Sequence, residues 1–341
     1  MKRVLSGIQP SGTLHIGNYL GMMRQMIELQ SQHKLFCFIA DLHAMTSLNR
    51  GDELRANTLQ AALDFLALGI EPEKSVFWVQ STVPEINELT WYLSNVTPIG
   101  LLERCHSYKD KVAKDIPANA GLLNYPVLMA ADILSVQSDI VPVGKDQKQH
   151  LEVTRDIAIK FNNEFGETFR VPEPLIKDEV AIVPGTDGQK MSKSYGNTIE
   201  IFGEEKTIRK QVMGIVTDST PLEQPKDPEK CNVFKIYSLF ATPAQKTEME
   251  KKYRAGNFGY GDAKKETFAL LWEYFRPYRE KRAELAKDLA GVKKILQQGT
   301  DKARTEILKN LNTVREKVGA LASTTLSERS RAEHTQSRCN Q

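Results

Sequence analysis

Over residues 1–195, short runs of β-branched and aromatic residues alternate with helix-period stretches, the pattern of a parallel sheet covered by helices. The candidate strands are Arg3 to Ser6, Leu35 to Ala40, Ser75 to Gln80, Ile140 to Val143 and Ala181 to Val183. Between the second and third, Asp52 to Leu68 puts Leu59, Ala62, Leu63 and Leu66 on one helical stripe. The pattern predicts an α/β, doubly wound parallel sheet. Residues 84–136 break the rhythm. They read as consecutive helices with Pro98, Pro117 and Pro126 as breaks or kinks, hence a helical insertion.

Beyond Gly196 the strand signals cease. Helical ones run over Glu204 to Gly214, Val233 to Phe240, Pro243 to Ala255 behind a Thr242 N-cap, and Asp262 to Gly319, so 196–322 predicts a second, all-helical domain. Residues 323–341 are polar, aperiodic and carry three arginines, the composition of a disordered tail. Charge divides along the same line. Residues 1–195 hold 19 Lys+Arg against 23 Asp+Glu, or −4, and the remainder holds 27 against 20, or +7. A positive second half is the sign a polyanion favours, and a solvated helical surface also produces it. No run approaches the roughly 20 apolar residues of a membrane span, and the N-terminus meets Gly7 and Pro10 without a signal-peptide core, so a cytoplasmic location is expected. Cys37, Cys105, Cys231 and Cys339 form no CxxC pair, which argues against a disulfide framework and against zinc.

Two loops carry the chemistry. Ser6-Gly7-Ile8-Gln9-Pro10-Ser11-Gly12-Thr13-Leu14-His15-Ile16-Gly17-Asn18 reads as strand, tight turn and helix, with Gly7, Pro10 and Gly12 making the turn. The helix start is a ready anion site, His15 and Asn18 share one face, and Gly17 leaves room for a flat base to approach the backbone. An ordinary βα turn would look similar. Gly185-Thr186-Asp187-Gly188-Gln189-Lys190-Met191-Ser192-Lys193-Ser194 packs two lysines and two serines behind a glycine pair, which suits a mobile clamp on a triphosphate or, more plainly, a solvated charged loop. Three further segments end at the carboxyl edge of the sheet, where open α/β folds bind ligands. They are Ala40-Asp41-Leu42-His43-Ala44, Tyr125-Pro126-Val127-Leu128-Met129-Ala130-Ala131-Asp132-Ile133-Leu134 and Val141-Pro142-Val143-Gly144-Lys145-Asp146-Gln147-Lys148-Gln149-His150. Asp132 is the one carboxylate on an apolar helix, costly there unless paired or employed.

His15-Ile16-Gly17-Asn18 and Lys190-Met191-Ser192-Lys193-Ser194, in that order, resemble the two signature motifs of the class I aminoacyl-tRNA synthetases, the second letter for letter. With the other strings, the resemblance over residues 3–320 is to the bacterial tryptophanyl-tRNA synthetases. It implies a Rossmann-like catalytic domain with the helical insertion, a helical domain contacting the tRNA anticodon, and a homodimer. The implied reaction activates L-tryptophan with ATP to tryptophanyl-adenylate, releases pyrophosphate, and transfers the amino acid to tRNA(Trp). Alternatives are tyrosine activation by a tyrosyl-tRNA synthetase, a nucleotidyltransferase acting without RNA, and a non-catalytic RNA-binding paralogue.

The resemblance also implies residue roles. Asp132 would accept the indole N–H, a pure donor. Leu5, Met129, Val141 and Val143 would line the apolar pocket beside His43, and Tyr125, Gln147 and Gln9 would hold the rest of tryptophan. Gln9, Pro10, Ser11, His15, Gly17, Asn18, Gly144, Lys145, Asp146, Val183, Met191, Ser192 and Ser194 would surround ATP. Lys190, Lys193 and Lys111 would act on its phosphates with Mg²⁺, for which no protein ligand is expected. Three positions depart from the common pattern: Leu5 stands where an aromatic residue is frequent, His15 where Thr is, and Tyr195-Gly196-Asn197 where an acidic residue follows the lysine-serine loop. Some relatives carry an iron–sulfur cluster on a Cys-rich C-terminal stretch; with only Cys231 and Cys339 there, none is expected.

Overall fold

The computed structural model describes residues 1–48, 50–113, 119–144, 148–175 and 183–321, without the side chains of Ser107, Asp110, Lys111 and Val112. Among the described residues five strands, β1 (Arg3–Ile8), β2 (Lys34–Ile39), β3 (Ser75–Val79), β4 (Ile140–Pro142) and β5 (Glu173–Leu175), form one sheet in the order β3-β2-β1-β4-β5. The β1/β2, β2/β3 and β1/β4 pairs are parallel. All of β3 and nearly all of β2 are buried, as expected of apolar strands covered on both faces. The chain steps from β1 outward to β2 and β3, then returns to place β4 on the other side of β1. That reversal puts the switch point, the usual ligand crevice of such sheets, at the carboxyl ends of β1 and β4.

One strand lies outside the expected runs. It is Glu173–Leu175, with Pro174 in its middle, whereas of Ala181 to Val183 only Val183 is described, and it is buried outside any strand. Proline demotes a run in sequence reading, yet an edge strand tolerates it because the missing N–H faces no neighbour. β5 is tied by the Val143 N–H to the Leu175 carbonyl at 3.4 Å. Helices fall close to expectation elsewhere. Gly51–Leu68 buries Ala62, Leu63 and Leu66, and Pro243–Ala255 starts behind Thr242, whose hydroxyl accepts the Gln245 N–H at 3.3 Å. The predicted tail from 323 lies outside the described residues.

The chain divides into two compact units that do not follow a boundary at residue 195. The first comprises Met1–Thr82, Ile140–Lys148 and Pro174–Asp301, so the helical stretch from 196 to 301 belongs with the sheet. Side chains explain this. Tyr19, buried on a π-helical turn (Tyr19–Met23) of the first helix, packs edge-on to Phe275 at 5.2 Å, and its hydroxyl meets that of Tyr274 at 3.1 Å. The buried Asp64 is paired with Arg282, whose guanidinium also lies 5.1 Å from the Phe202 ring. Burial pushes the Asp64 carboxyl up to about 6, against the pull of Arg282 and, more weakly, of Lys193.

The second unit comprises Val83–Asp139, Gln149–Glu173 and Lys302–Gln341. Its start matches the expected insertion: Glu85–Val96, Ile99–Glu103, His106–Ala113 and Ala120–Ser135 are consecutive helices, broken at Pro98 and carrying Pro126 inside the last. Pro117 lies outside the described residues. The C-terminal end of the Leu289–Val318 helix joins this unit through a two-pronged Arg315–Glu88 pair, with Nε to Oε1 at 2.8 Å, that holds the Glu88 carboxyl below its ordinary range.

Gly299, on that long helix, meets the backbone of β3 so closely that a Cβ would fall inside the Phe77 carbonyl. Backbone cannot yield as a side-chain tip can. Gly299→Ala is expected to destabilise the protein by about 3 kcal/mol, read as a lower urea midpoint at unchanged slope; an unchanged midpoint would show that the helix stands off freely.

Candidate active site

β1 ends at Ile8, and the chain turns through Gln9, Pro10 and Ser11, closed by the Ser11 N–H to the Gln9 carbonyl at 2.8 Å. Gly12 makes the turn at φ +89°, a conformation that other residues adopt at a cost. Gly7 does something different from the turn role expected of it. It lies in β1, and a Cβ there would meet the Phe38 ring at 2.6 Å, so its smallness serves strand packing.

The first helix does not offer all its N–H groups to an anion. The Ile16 N–H goes to the Ile199 carbonyl at 3.0 Å, the Ile201 N–H to the Leu14 carbonyl at 3.1 Å, and the His15 N–H to Asn18 Oδ1 at 3.2 Å. The His15 side chain is buried, and its Nδ1 has no hydrogen-bond partner among the described residues. Burial, with the nearby Lys193 charge, lowers its pKa to about 4, so the imidazole is neutral at neutral pH. Gly17 makes room for that ring: a Cβ would meet His15 Nδ1 at 2.9 Å and Met191 Cβ at 3.4 Å. The His15 ring therefore lies directly against Gly17.

The lysine-serine loop closes on this turn. Lys193 Nζ donates to the Ser11 carbonyl at 2.8 Å and approaches Ser11 Oγ at 3.4 Å. Burial lowers the Lys193 pKa, while the carboxylates of Asp64 and Glu200 raise it. Met191 is buried beneath Gly17, with its N–H on the Val183 carbonyl at 2.9 Å, and the Ser192 and Ser194 hydroxyls lie 2.8 Å apart. Lys190 is exposed. Gly185 and Gly188 are not slack hinges: a Cβ on Gly185 would overlap Asn197, and one on Gly188 (φ +84°) would meet Asn232 Nδ2 at 2.5 Å.

The remaining residues sort by unit. In the first, Leu5 is buried in β1 and Val141 in β4, Val143 and the exposed Gly144 follow β4, and the buried His43 sits in the short Asp41–Ala44 helix. Asp41 anchors that helix by accepting the Ser81 N–H at 3.0 Å and the Ser81 hydroxyl at 2.5 Å. In the second, Tyr125, Met129 and Asp132 follow one another on one face of the Ala120–Ser135 helix at i+4 and i+3 spacing, with Asp132 buried. The Tyr125 hydroxyl is fixed by His150 Nε2 at 2.9 Å, beneath an edge-on ring contact at 5.2 Å. Lys145, Asp146, Gln147 and the Lys111 side chain lie outside the described residues.

A family model described as tRNA synthetases class I (W and Y) matches residues 1–276. The chain belongs to this family. A tryptophan–tRNA ligase of Fusobacterium nucleatum is 59% identical over 320 residues, 94% of this chain and 98% of that one. The crystal structure of a tryptophanyl-tRNA synthetase from Campylobacter jejuni, complexed with ADP and tryptophan, matches with a TM-score of 0.90 at 55% identity, covering 93% and 99% of the two chains. One from Mycoplasma pneumoniae gives 0.78 at 31% identity over 95% and 99%.

For a class I synthetase of this group, sequence reading passed over several supports of the site. Asn197 was visible only as the end of the Tyr195-Gly196-Asn197 continuation, and His150 only as the end of another string. The contacts of Asp41 with Ser81 and of Asp64 with Arg282 join residues too distant in sequence to be paired by inspection.

The depressed His15 pKa sets a pH dependence. The unfolded chain, with an ordinary histidine near 6.5, takes up a proton that the folded one refuses until about 4, so stability is lost as pH falls between those values. Asp64 works oppositely, which makes the comparison with a variant the test. Relative to His15→Gln, the parent should lose up to roughly 3 kcal/mol between pH 6.5 and 4 in urea unfolding. Parallel pH curves would contradict the buried, neutral imidazole.

Proposed function

We propose that the chain is a tryptophan–tRNA ligase that activates L-tryptophan with ATP to tryptophanyl-adenylate and then charges tRNA(Trp). The observation that carries this reading is the Lys193–Ser11 contact, which brings the two signature loops together at the carboxyl end of β1. Relatives of 59% and 55% identity bear that ligase name over nearly their whole length, and the ADP and tryptophan of the Campylobacter jejuni complex fit both substrates.

In this reading the substrate carboxylate attacks the α-phosphorus, an oxygen–phosphorus bond forms, and pyrophosphate leaves with its bridging oxygen. The tRNA ribose hydroxyl then takes the acyl group and AMP departs. No side-chain base is required, so the residues position the reactants and stabilise phosphate charge. Lys193, partly desolvated against Ser11, would exchange a backbone carbonyl for a phosphate oxygen, and Lys190 would join it from the exposed side of the loop. Lys111, Lys145 and Asp146 take their ATP roles from the resemblance. Gln9, Pro10, Ser11, His15, Gly17, Asn18, Gly144, Val183, Met191, Ser192 and Ser194 form or adjoin the described loops that would receive the nucleotide. Mg²⁺ would arrive on the triphosphate and would offset charge on the departing pyrophosphate.

Asp132 would accept the indole N–H, with Leu5, Met129, Val141, Val143 and His43 around the ring and Tyr125, Gln147 and Gln9 on the polar end. The exposed Arg276, Lys281, Lys287, Lys293 and Lys294 of the helical region supply cations for tRNA. The exposed Trp91 and Ile99 of the inserted helices suit a second copy of the chain, consistent with a homodimer. Among the described residues no helix is long and apolar enough to cross a membrane, and a cytoplasmic location is part of this proposal.

Across the twenty amino acids, tryptophan alone should drive exchange of pyrophosphate into ATP. An analogue with sulfur in place of the indole N–H should be poorer by roughly 5- to 150-fold in kcat/KM, because it leaves a buried acceptor unpaired. Tyrosine-driven exchange would overturn the substrate, and equal use of the analogue would overturn the role of Asp132. Separately, reversing the charge of Lys281, Lys287 and Lys294 should weaken tRNA binding and flatten its salt dependence while exchange survives. If exchange is abolished and the salt slope is intact, that region supports the fold rather than gripping RNA.

A further inference from the structure

We propose that Asn197 is a positioning residue for adenylate formation, a three-way staple that holds the lysine-serine turn in the backbone shape able to present both lysines to one triphosphate. The inference rests on the synthetase reading and adds to it a residue outside both signature motifs. Asn197 is buried, at 2% exposure. Its Nδ2 donates to Asp187 Oδ1 at 2.8 Å and to the Lys190 carbonyl at 3.1 Å, and its Oδ1 accepts the Ser192 N–H at 2.7 Å. The amide therefore grips the backbone on both sides of Met191. Its own carbonyl accepts the Thr186 N–H at 2.9 Å, and its side chain fills the space that Gly185 leaves empty.

The consequence is geometric. Residues 185–197 form a closed turn, with Gly185 N–H on the Gln189 carbonyl at 2.6 Å and Gly188 N–H on the Gly185 carbonyl at 3.0 Å. A loop with two lysines repels itself and gains little from solvent-exposed contacts, so an uncharged internal tie is what holds it before substrate binds. The Asp187 carboxyl, held below its ordinary range chiefly by the Asn197 amide, anchors the outer end. An amide suits this place because it donates twice and accepts once. A carboxylate of the same shape keeps the Ser192 contact but faces Asp187 and the Lys190 carbonyl with the wrong sign.

Asn197→Asp, Asp187→Asn and their combination separate positioning from folding. In single-turnover adenylate formation, Asn197→Asp should lose about 10- to 100-fold, shared between the rate constant and the ATP dependence, with the tryptophan KM unchanged. The double variant restores a donor opposite an acceptor and should recover about 3-fold or more of that loss, the coupling expected of directly bonded partners. A wild-type rate in Asn197→Asp overturns the proposal, as does a loss that tracks melting temperature and tryptophan KM together. Hydrogen exchange needs no substrate and tests the staple apart from the synthetase reading. Amides of residues 186–192 should exchange about 10-fold faster in Asn197→Asp than in the parent, and equal protection overturns the staple. If the parent shows no tryptophan-dependent exchange while the amides behave as expected, the synthetase reading fails and the staple stands. Should Asn197→Asp not fold, Asp187→Ala at the exposed anchor should still slow adenylate formation about 3-fold, and an unchanged rate overturns the proposal.

Discussion

Two backbone hydrogen bonds, from the Ile16 N–H to Ile199 and from the Ile201 N–H to Leu14, hold together parts of the chain that are almost two hundred residues apart. The geometry of the two signature loops depends on them. They set the start of the first helix beside the end of the lysine-serine loop, so that Met191 lies under Gly17 and Lys193 reaches Ser11. One of them uses the Ile16 N–H, an amide that a helix start would otherwise offer to an anion. The helix thus gives up part of its own electrostatic attraction in exchange for a fixed neighbour that carries full positive charge.

The same junction keeps charge under control. A protonated His15 beside Lys193 would repel the lysine, and burial prevents it by holding the imidazole neutral. Asp64, whose negative charge offsets Lys193 from a distance, is kept in place by Arg282 in the helical region. Tyr19, two residues from Gly17, packs into the aromatic cluster of Tyr274, Phe275 and Tyr278. Through these contacts the helical stretch from 196 to 301 supports the first helix directly, which is why it shares a compact unit with the sheet rather than forming a separate one. A buried, tightly packed junction has few intermediate arrangements, so a shift in the helical segment would be felt at the signature loops.

Much of this was legible from residue patterns. Strands β1 to β4, the Gly51–Leu68 helix, the inserted helices and the Thr242 cap follow from local periodicity and capping, which act over a few residues. The two signature loops and the apolar helix bearing Asp132 were legible as strings. β5 was not, because Pro174 suits only an edge and edges are defined by neighbours. The packing roles of Gly7, Gly17 and Gly185 also eluded sequence reading: each makes room for a specific side chain, Phe38, His15 and Asn197.

The sequence by itself determined the parallel α/β architecture, the family and the identities of the chemical groups, because helix period, strand alternation and motif residues are carried by near neighbours in the chain. Tertiary structure decided which of those groups meet: the Lys193–Ser11 contact, the neutral His15, the Asp64–Arg282 pair and the Asn197 staple. Proximity between distant segments, and the burial that shifts a pKa, exist only once the chain has closed on itself.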